Sequence, residues 1–528
     1  MRKLSSFALV VTLSVGVLAL NAFASGTKDA GAAGGQTLVY GTTDKVTDMD
    51  TASAYDSHTW DLFQNLGQGL LAYTPGTTDI VPALAESYSV NPSADQYTFK
   101  LRKGLKFSNG DPFNAQVVKW SIDRVIALKG DPSWLVSSYV KSVDVIDDTT
   151  VRFNLQGPTA YFPTLIATPT YFPVDPKQYP ADHIIKDISE LPGGQIAGLG
   201  PYTLTSFKRD EEVVFKANPN YFGPKPKIDT IIIRYFADAT TMRLALESGE
   251  LDLVYKTLNP SDIKDLAANP KFKTFELPGP YIRYLCFETS QSIFKDPTLR
   301  QAMAALINRP EIIQKVFLGQ NAPLYSMIPQ GMVTHAEDFK TVFGDGNVEM
   351  ANKLLAKAGY TASNPLAIDL WYTPSHYGDT EVNLAQVMKN DLEKSPAVKV
   401  TLKSAEWATY KQQWHNKQMP MFLLGWYPDY VDPDDYTAAF AQTDGSSGMG
   451  IYFSSPEWDK LFAQEQQSPD QKTREAIFAK IQKMWTDQVP TVPIFQGNLY
   501  IIAKPTVKGV NIGPTLIFNY NTLYFSDK

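Results

Sequence analysis

Cysteine is nearly absent from this chain of 528 residues, with Cys286 standing alone. One thiol excludes an intramolecular disulfide and a multi-cysteine metal site. Histidine is also scarce: His58, His183, His335, His376 and His415 are the five, and none has the H-E-x-x-H spacing of a zinc peptidase. The chain contains no G-x-S-x-G elbow and no G-x-x-x-x-G-K-[ST] loop, so the usual marks of a serine hydrolase and of a nucleotide-binding enzyme are missing. Basic charge is in deficit, with 48 Lys and Arg against 55 Asp and Glu, a formal charge of −7. That balance argues against nucleic acid as a partner, which would need a basic face. No uncharged apolar run beyond residue 25 is long enough to cross a bilayer. What remains is an ordinary globular composition, 44% hydrophobic and 12% aromatic, long enough for two to four folding units.

The amino terminus carries an address. Arg2 and Lys3 precede a mostly apolar stretch from Phe7 to Leu20, and Ala22-Phe23-Ala24 places small residues before Ser25. This is the layout of a secretory signal peptide over residues 1–24, and a transmembrane anchor would need a longer apolar core. No lipobox cysteine follows, so the mature chain is expected to be soluble and periplasmic, without a membrane span. Residues 25–36 are rich in Gly and Ala and read as a flexible tether.

Beyond the tether the patterning mixes two periods. Thr37–Tyr40, Tyr97–Arg102, Val151–Leu155, Tyr202–Phe207, Glu212–Ala217 and Ile231–Phe236 read as strands. Trp60, Phe63, Leu66 and Leu70 recur at three- and four-residue steps, predicting a helix over Thr59–Leu71. Asn114 is placed to cap a helix bearing Val118, Ile122 and Val125 on one face. The spacing is helical throughout 298–318, and again over 382–394 and 472–488. Strands near 366–372, 398–403, 420–425 and 491–495 alternate with these helices, which indicates α/β units.

Five motifs in order carry a resemblance. They are Pro82-Ala83-Leu84-Ala85-Glu86-Ser87-Tyr88 and the run from Tyr97 through Gly104 and Asn109-Gly110-Asp111-Pro112 to Phe113. Gly198-Leu199-Gly200-Pro201-Tyr202 with Asn218-Pro219-Asn220-Tyr221-Phe222-Gly223 follows, then Leu246–Asp252 and Asp296–Ala302. Together they resemble the extracellular solute-binding proteins of the peptide/nickel class that serve ABC importers. The resemblance implies an α/β fold of two lobes, the type II periplasmic binding protein arrangement, with an additional subdomain in the first lobe. It divides the chain into a discontinuous lobe 1 (37–80, 198–280 and 500–528), a subdomain (81–197) and lobe 2 (281–499). Segments near 198–201 and 278–280 are the expected crossing points. It implies a monomeric receptor that passes a peptide, or another small solute such as an oligosaccharide, to permease subunits, with no enzymatic activity, cofactor or metal. A secreted hydrolase of peptides or glycans stands as an alternative of another class, because 55 acids offer many carboxylate pairs.

The candidate site is Gly425-Trp426-Tyr427-Pro428-Asp429-Tyr430-Val431-Asp432-Pro433-Asp434-Asp435-Tyr436, after the apolar strand Met421–Leu424. Loops at strand ends are where open α/β sheets bind ligands. The resemblance assigns Asp429 to a peptide's α-ammonium and Trp426 to the pocket wall. Tyr427 and Tyr430 are aromatic neighbours, Tyr281 lies on the expected crossing strand, and His58 is a weaker candidate for the cleft. Asp432, Asp434 and Asp435 read instead as the solvated edge of the loop. Some dipeptide-binding relatives place a carboxylate-holding Arg before the helix matching 382–394. Here the stretch Thr373–Asp379 has none, so a free carboxylate would need another partner.

Overall fold

The computed structural model describes residues 35–526, apart from Thr257, Gln291, Val333, Ser375, Gly378, Asp379, Gly513 and Pro514. The expected signal peptide and most of the tether lie outside the described residues.

Alternation builds the strands. In Gln96–Leu101 the side chains of Tyr97, Phe99 and Leu101 are buried while Gln96, Thr98 and Lys100 face outward, as the two-residue period of a strand requires. That strand belongs to a four-stranded antiparallel sheet with Ala85–Val90, Thr150–Leu155 and Val140–Asp147. Helix Ala115–Leu128 packs on it, capped by the Asn114 side chain accepting from Val117 N.

A larger sheet of 11 strands organises the rest. At one end Val398–Ser404, Leu366–Tyr372 and Met421–Trp426 run parallel, alternating with helices. At the other, Thr37–Thr42 lies parallel between Leu253–Tyr255 and Thr230–Tyr235, followed by Glu212–Ala217 and Tyr202–Lys208. Two long antiparallel strands, Lys273–Phe287 and Thr491–Ala503, join the halves. Lys273–Pro278 pairs with Asn498–Ala503 beside the first half, and Ile282–Cys286 pairs with Thr491–Gln496 beside the second. Between them the register slips from Pro278 to Ile282. Here Gln496 Nε2 donates to Gly279 O at 2.7 Å, and the Tyr281 ring lies so close over Gly497 that any Cβ would overlap it.

Three large hydrophobic cores form among the described residues, beside a smaller cluster of Met242, Leu246, Leu251 and Ile502. One surrounds Ile282–Phe495, one gathers Leu38, Tyr202, Ile231 and Leu499–Leu523, and one fills the four-stranded sheet around Phe99, Phe153 and Leu165. Cys286 is fully buried in the first, an inert thiol.

Several expectations are corrected. The helix expected to reach Leu71 ends at Leu66, because Gly67 and Gly69 press against Phe172 and Leu71 begins a strand. The stretch 298–318 is two helices, Pro297–Leu306 and Arg309–Phe317. The Asn308 side chain caps the second by accepting from Glu311 N, and Pro310 fits only a first turn. Gly198 and Gly200 of the expected crossing segment pack against the backbone of Leu66 and Gly67, and the strand Thr491–Ala503 runs beside the expected crossing at 278–280. Val174, Tyr179, Ile185, Ile188, Leu191 and Ile196, expected in the subdomain, join the core of the first half. Beside them Asp50 accepts from Ile185 N at 3.0 Å and pairs with Arg124 at 2.6 Å.

Candidate functional site

A cavity of about 890 Å³ opens where the two long strands cross, within the size range of small-molecule sites. Residues of both halves line it, Tyr55, Lys256 and Leu499 from one side and Arg283, Tyr377 and Asp429 from the other.

Strand Met421–Trp426 delivers the loop that forms one wall, since its register pairs Trp426 with Ile282 and Gly425 with Arg283 on the crossing strand. The loop is fixed from behind by Asp435. Its carboxylate accepts from Trp426 Nε1 at 2.9 Å and from the backbone N–H of Asp429 at 3.2 Å. Burial pushes the Asp435 carboxyl well up, and the neighbouring Asp429 adds to the shift.

Asp432, Asp434 and Asp435 are therefore not a solvated edge. All three are buried. Asp432 takes a bidentate pair from Arg474 at 2.6 and 2.9 Å, and Arg474 also holds Glu465 at 2.8 Å. Asp434 accepts from Tyr430 Oη at 2.6 Å and from Gln466 Nε2 at 3.0 Å. Arg474, 42 residues away, supplies the cation. No local signal announces that pairing.

Of the expected site residues, Asp429, Tyr427, Tyr430 and Tyr281 line the cavity. Tyr427 stacks on Tyr281 with ring centroids 5.1 Å apart and planes 20° from parallel. Tyr430 is buried and stacks flat on Tyr161 at 5.1 Å. Asp429 is half-buried, its carboxylate turned to the cavity and accepting from Tyr55 Oη at 2.5 Å. Burial raises its pKa to about 6, against a smaller lowering by the Tyr55 hydrogen bond. No Lys or Arg among the described residues pairs with it.

Trp426 and His58 are placed otherwise. Trp426 packs edge-on against Phe440 at 5.3 Å and braces the loop through Asp435 without lining the cavity. His58 is buried, bonded to Tyr235 Oη at 3.1 Å, and desolvation lowers its pKa to about 4. It is a neutral core histidine.

Sequence reasoning missed Arg283, Lys256 and His376, all in the wall. Arg283 is 5% exposed. Its guanidinium lies 3.4 Å from the centre of the Tyr377 ring, and its Nε donates to Glu381 Oε1 at 2.9 Å. Lys256 reaches Asp44 at 3.5 Å and Ser57 Oγ at 3.1 Å. His376 stacks on Trp407 at 3.7 Å, and burial lowers its pKa to about 4. An Arg in the apolar run Tyr281–Phe287 was the one available signal, since charge is seldom buried without a task. Among the described residues no group of three or more metal-ligating side chains converges, and no helix is long and apolar enough to cross a membrane.

Two halves joined by paired crossing strands, with an aromatic, charge-bearing cavity at the crossing, define a two-lobed periplasmic binding protein fold. Solved structures share it: a periplasmic binding protein from Helicobacter pylori in complex with the peptide STSA superposes with a TM-score of 0.74 at 24% identity, covering 93% of this chain and 98% of that one. Residues 79–448 match the family described as bacterial extracellular solute-binding proteins, family 5 Middle, and the chain belongs to that family. Among curated relatives, heme-binding protein A of Haemophilus influenzae is 26% identical over 87% of this chain and 86% of its own length. The dipeptide-binding protein of Escherichia coli (strain K12) is 27% identical over 88% and 89%.

Proposed function

We propose that this protein is the exported receptor of an ABC importer, capturing a peptide between its lobes and delivering it unchanged to permease subunits. The signal peptide at 1–24, the tether at 25–36 and the periplasmic location belong to this reading. Its support is the family, the dipeptide named for the Escherichia coli relative and the peptide held by the Helicobacter pylori neighbour.

The observation that carries the peptide reading is Asp429: a carboxylate turned into the cavity, held by a loop anchored on Asp435, with the Tyr55 phenol as the one side chain that bonds it and no cation beside it among the described residues. A partly buried carboxylate binds an ammonium strongly when its geometry is fixed and a closing site excludes water. Tyr281, Tyr427 and Tyr430 supply the apolar wall around it.

Titration calorimetry tests the reading with short peptides bearing a free or an acetylated amino terminus, and with hemin as the competing solute. The expected result is binding of the free-amine peptides, loss on acetylation, and recovery of intact peptide after long incubation. Tight hemin binding without peptide binding, or cleavage of the peptide, overturns it.

A further inference from the structure

The core of the four-stranded sheet is built from residues between Ala52 and Leu199, with one exception. The exception is Tyr430, which enters it on the loop that carries Asp429. Between Tyr161 and Tyr430 the chain runs along the crossing strand Lys273–Phe287, so nothing covalent holds the two sides of this seam together.

The seam is nevertheless closely fitted. Tyr430 lies flat on Tyr161, with ring centroids 5.1 Å apart and planes 5° from parallel. Tyr139 meets Tyr161 edge-on at 5.9 Å. Stacked and edge-on rings are the arrangements that aromatic quadrupoles favour. Beside the rings a circuit of hydrogen bonds returns on itself. Ala160 N donates to Gln466 O at 2.8 Å, Gln466 Nε2 donates to Asp434 at 3.0 Å, and Asp434 accepts from Tyr430 Oη at 2.6 Å. The sheet holds its own side of the circuit: Thr159 N donates to Ala94 O and Thr159 O accepts from Tyr97 Oη, both at 2.9 Å. Asp429 and Tyr430 are consecutive, and both reach across the seam, one to Tyr55 and the other to Tyr161. Seating one places the other. Tyr161 itself is buried and is not a lining residue of the cavity.

We infer that Tyr161 is a positioning residue for solute capture: its ring, presented by the four-stranded sheet, seats Tyr430 and so sets Asp429 in the cavity wall when the halves close. The inference rests on the receptor reading and gives the sheet a part in it without any contact between Tyr161 and solute. The stack forms after solute has entered. Its loss therefore speeds departure and leaves arrival almost untouched.

The test follows trialanine arrival and release by stopped-flow tryptophan fluorescence on wild type, Tyr161→Leu and Tyr161→Phe, with folding checked by circular dichroism. Tyr161→Leu is expected to release trialanine roughly five- to tenfold faster, with arrival within about threefold of wild type. Tyr161→Phe keeps the flat ring and is expected to behave as wild type. Release from a folded Tyr161→Leu at the wild-type rate, or an equal loss in Tyr161→Phe, overturns the inference. A second measurement needs no solute. Ala160→Cys and Gln467→Cys place thiols beside the bond from Ala160 N to Gln466 O, and a short bismaleimide joins them, Cys286 being buried. Adding Tyr161→Leu is expected to slow this cross-linking about fivefold, and equal rates overturn the inference. With Tyr161 intact, bound trialanine is expected to speed the cross-link, and an unchanged rate overturns it too. If wild type binds no trialanine while Tyr161→Leu slows the cross-link, the peptide reading fails and the inference holds.

Discussion

The Tyr55 hydroxyl donates to the Asp429 carboxylate at 2.5 Å, joining residues 374 positions apart in the chain across the cavity. Under the proposed peptide reading, an incoming ammonium would take the place this phenol holds. A hydrogen bond from a neutral phenol is weaker than one from a cation, and an ammonium can displace it.

Asp429→Asn should weaken binding of an amine-terminated peptide by about 1–3 kcal/mol, the range for losing a charge-assisted contact. Calorimetry at neutral pH reads it directly. An unchanged affinity removes Asp429 from the site.

Acidity should matter to the same contact. Burial holds the Asp429 pKa at about 6, and only the ionised acid attracts an ammonium. Affinity is therefore expected to be near its maximum between about pH 7 and 8, to fall as pH drops through 6, and to fall again above about pH 8 as the peptide's own amine loses its proton. Tyr55→Phe removes the bond that lowers the Asp429 pKa and should move the acid limb to higher pH.

The Asp432–Arg474–Glu465 cluster makes a stability prediction. Arg474 holds two acids whose side chains are 8% and 0% exposed. Arg474→Met leaves both without their cation, and breaking a buried pair of this kind costs roughly 3–5 kcal/mol. Urea unfolding should show the loss as a lower midpoint, while a variant as stable as the parent would mean that the acids find other partners.

His58 gives stability a pH signature. Its folded pKa is about 4, below its ordinary value of 6.5, because burial penalises the charged ring. The unfolded chain binds that proton first, so the stability His58 contributes is complete above pH 6.5 and lost as pH falls toward 4. His58→Gln should flatten the stability profile over that window relative to the parent, measured by unfolding at several pH values.

Gly497→Ala places a methyl group inside the Tyr281 ring position. The ring must move, at a cost of roughly 1–3 kcal/mol for overpacking, and its stack on Tyr427 goes with it. Thermal unfolding and peptide affinity are both expected to fall.

The sequence by itself determined the local elements, because their causes are local. Tyr97, Phe99 and Leu101 alternate, Asn114 caps its helix and Asp429 follows an apolar strand, all within a few residues. The ordered motifs carried the family, and four of the six named site residues line the cavity. Tertiary structure decided whatever depended on partners distant in the chain. Asp432 and Asp434 look like exposed acids until Arg474 and Gln466 arrive from two later helices. Arg283 looks like a misplaced charge until Glu381 and Tyr377 close on it across about a hundred residues, and Gly497 looks like a turn until Tyr281 lies over it. Burial and pairing are properties of the assembled neighbourhood, and a residue's own position in the chain does not contain them.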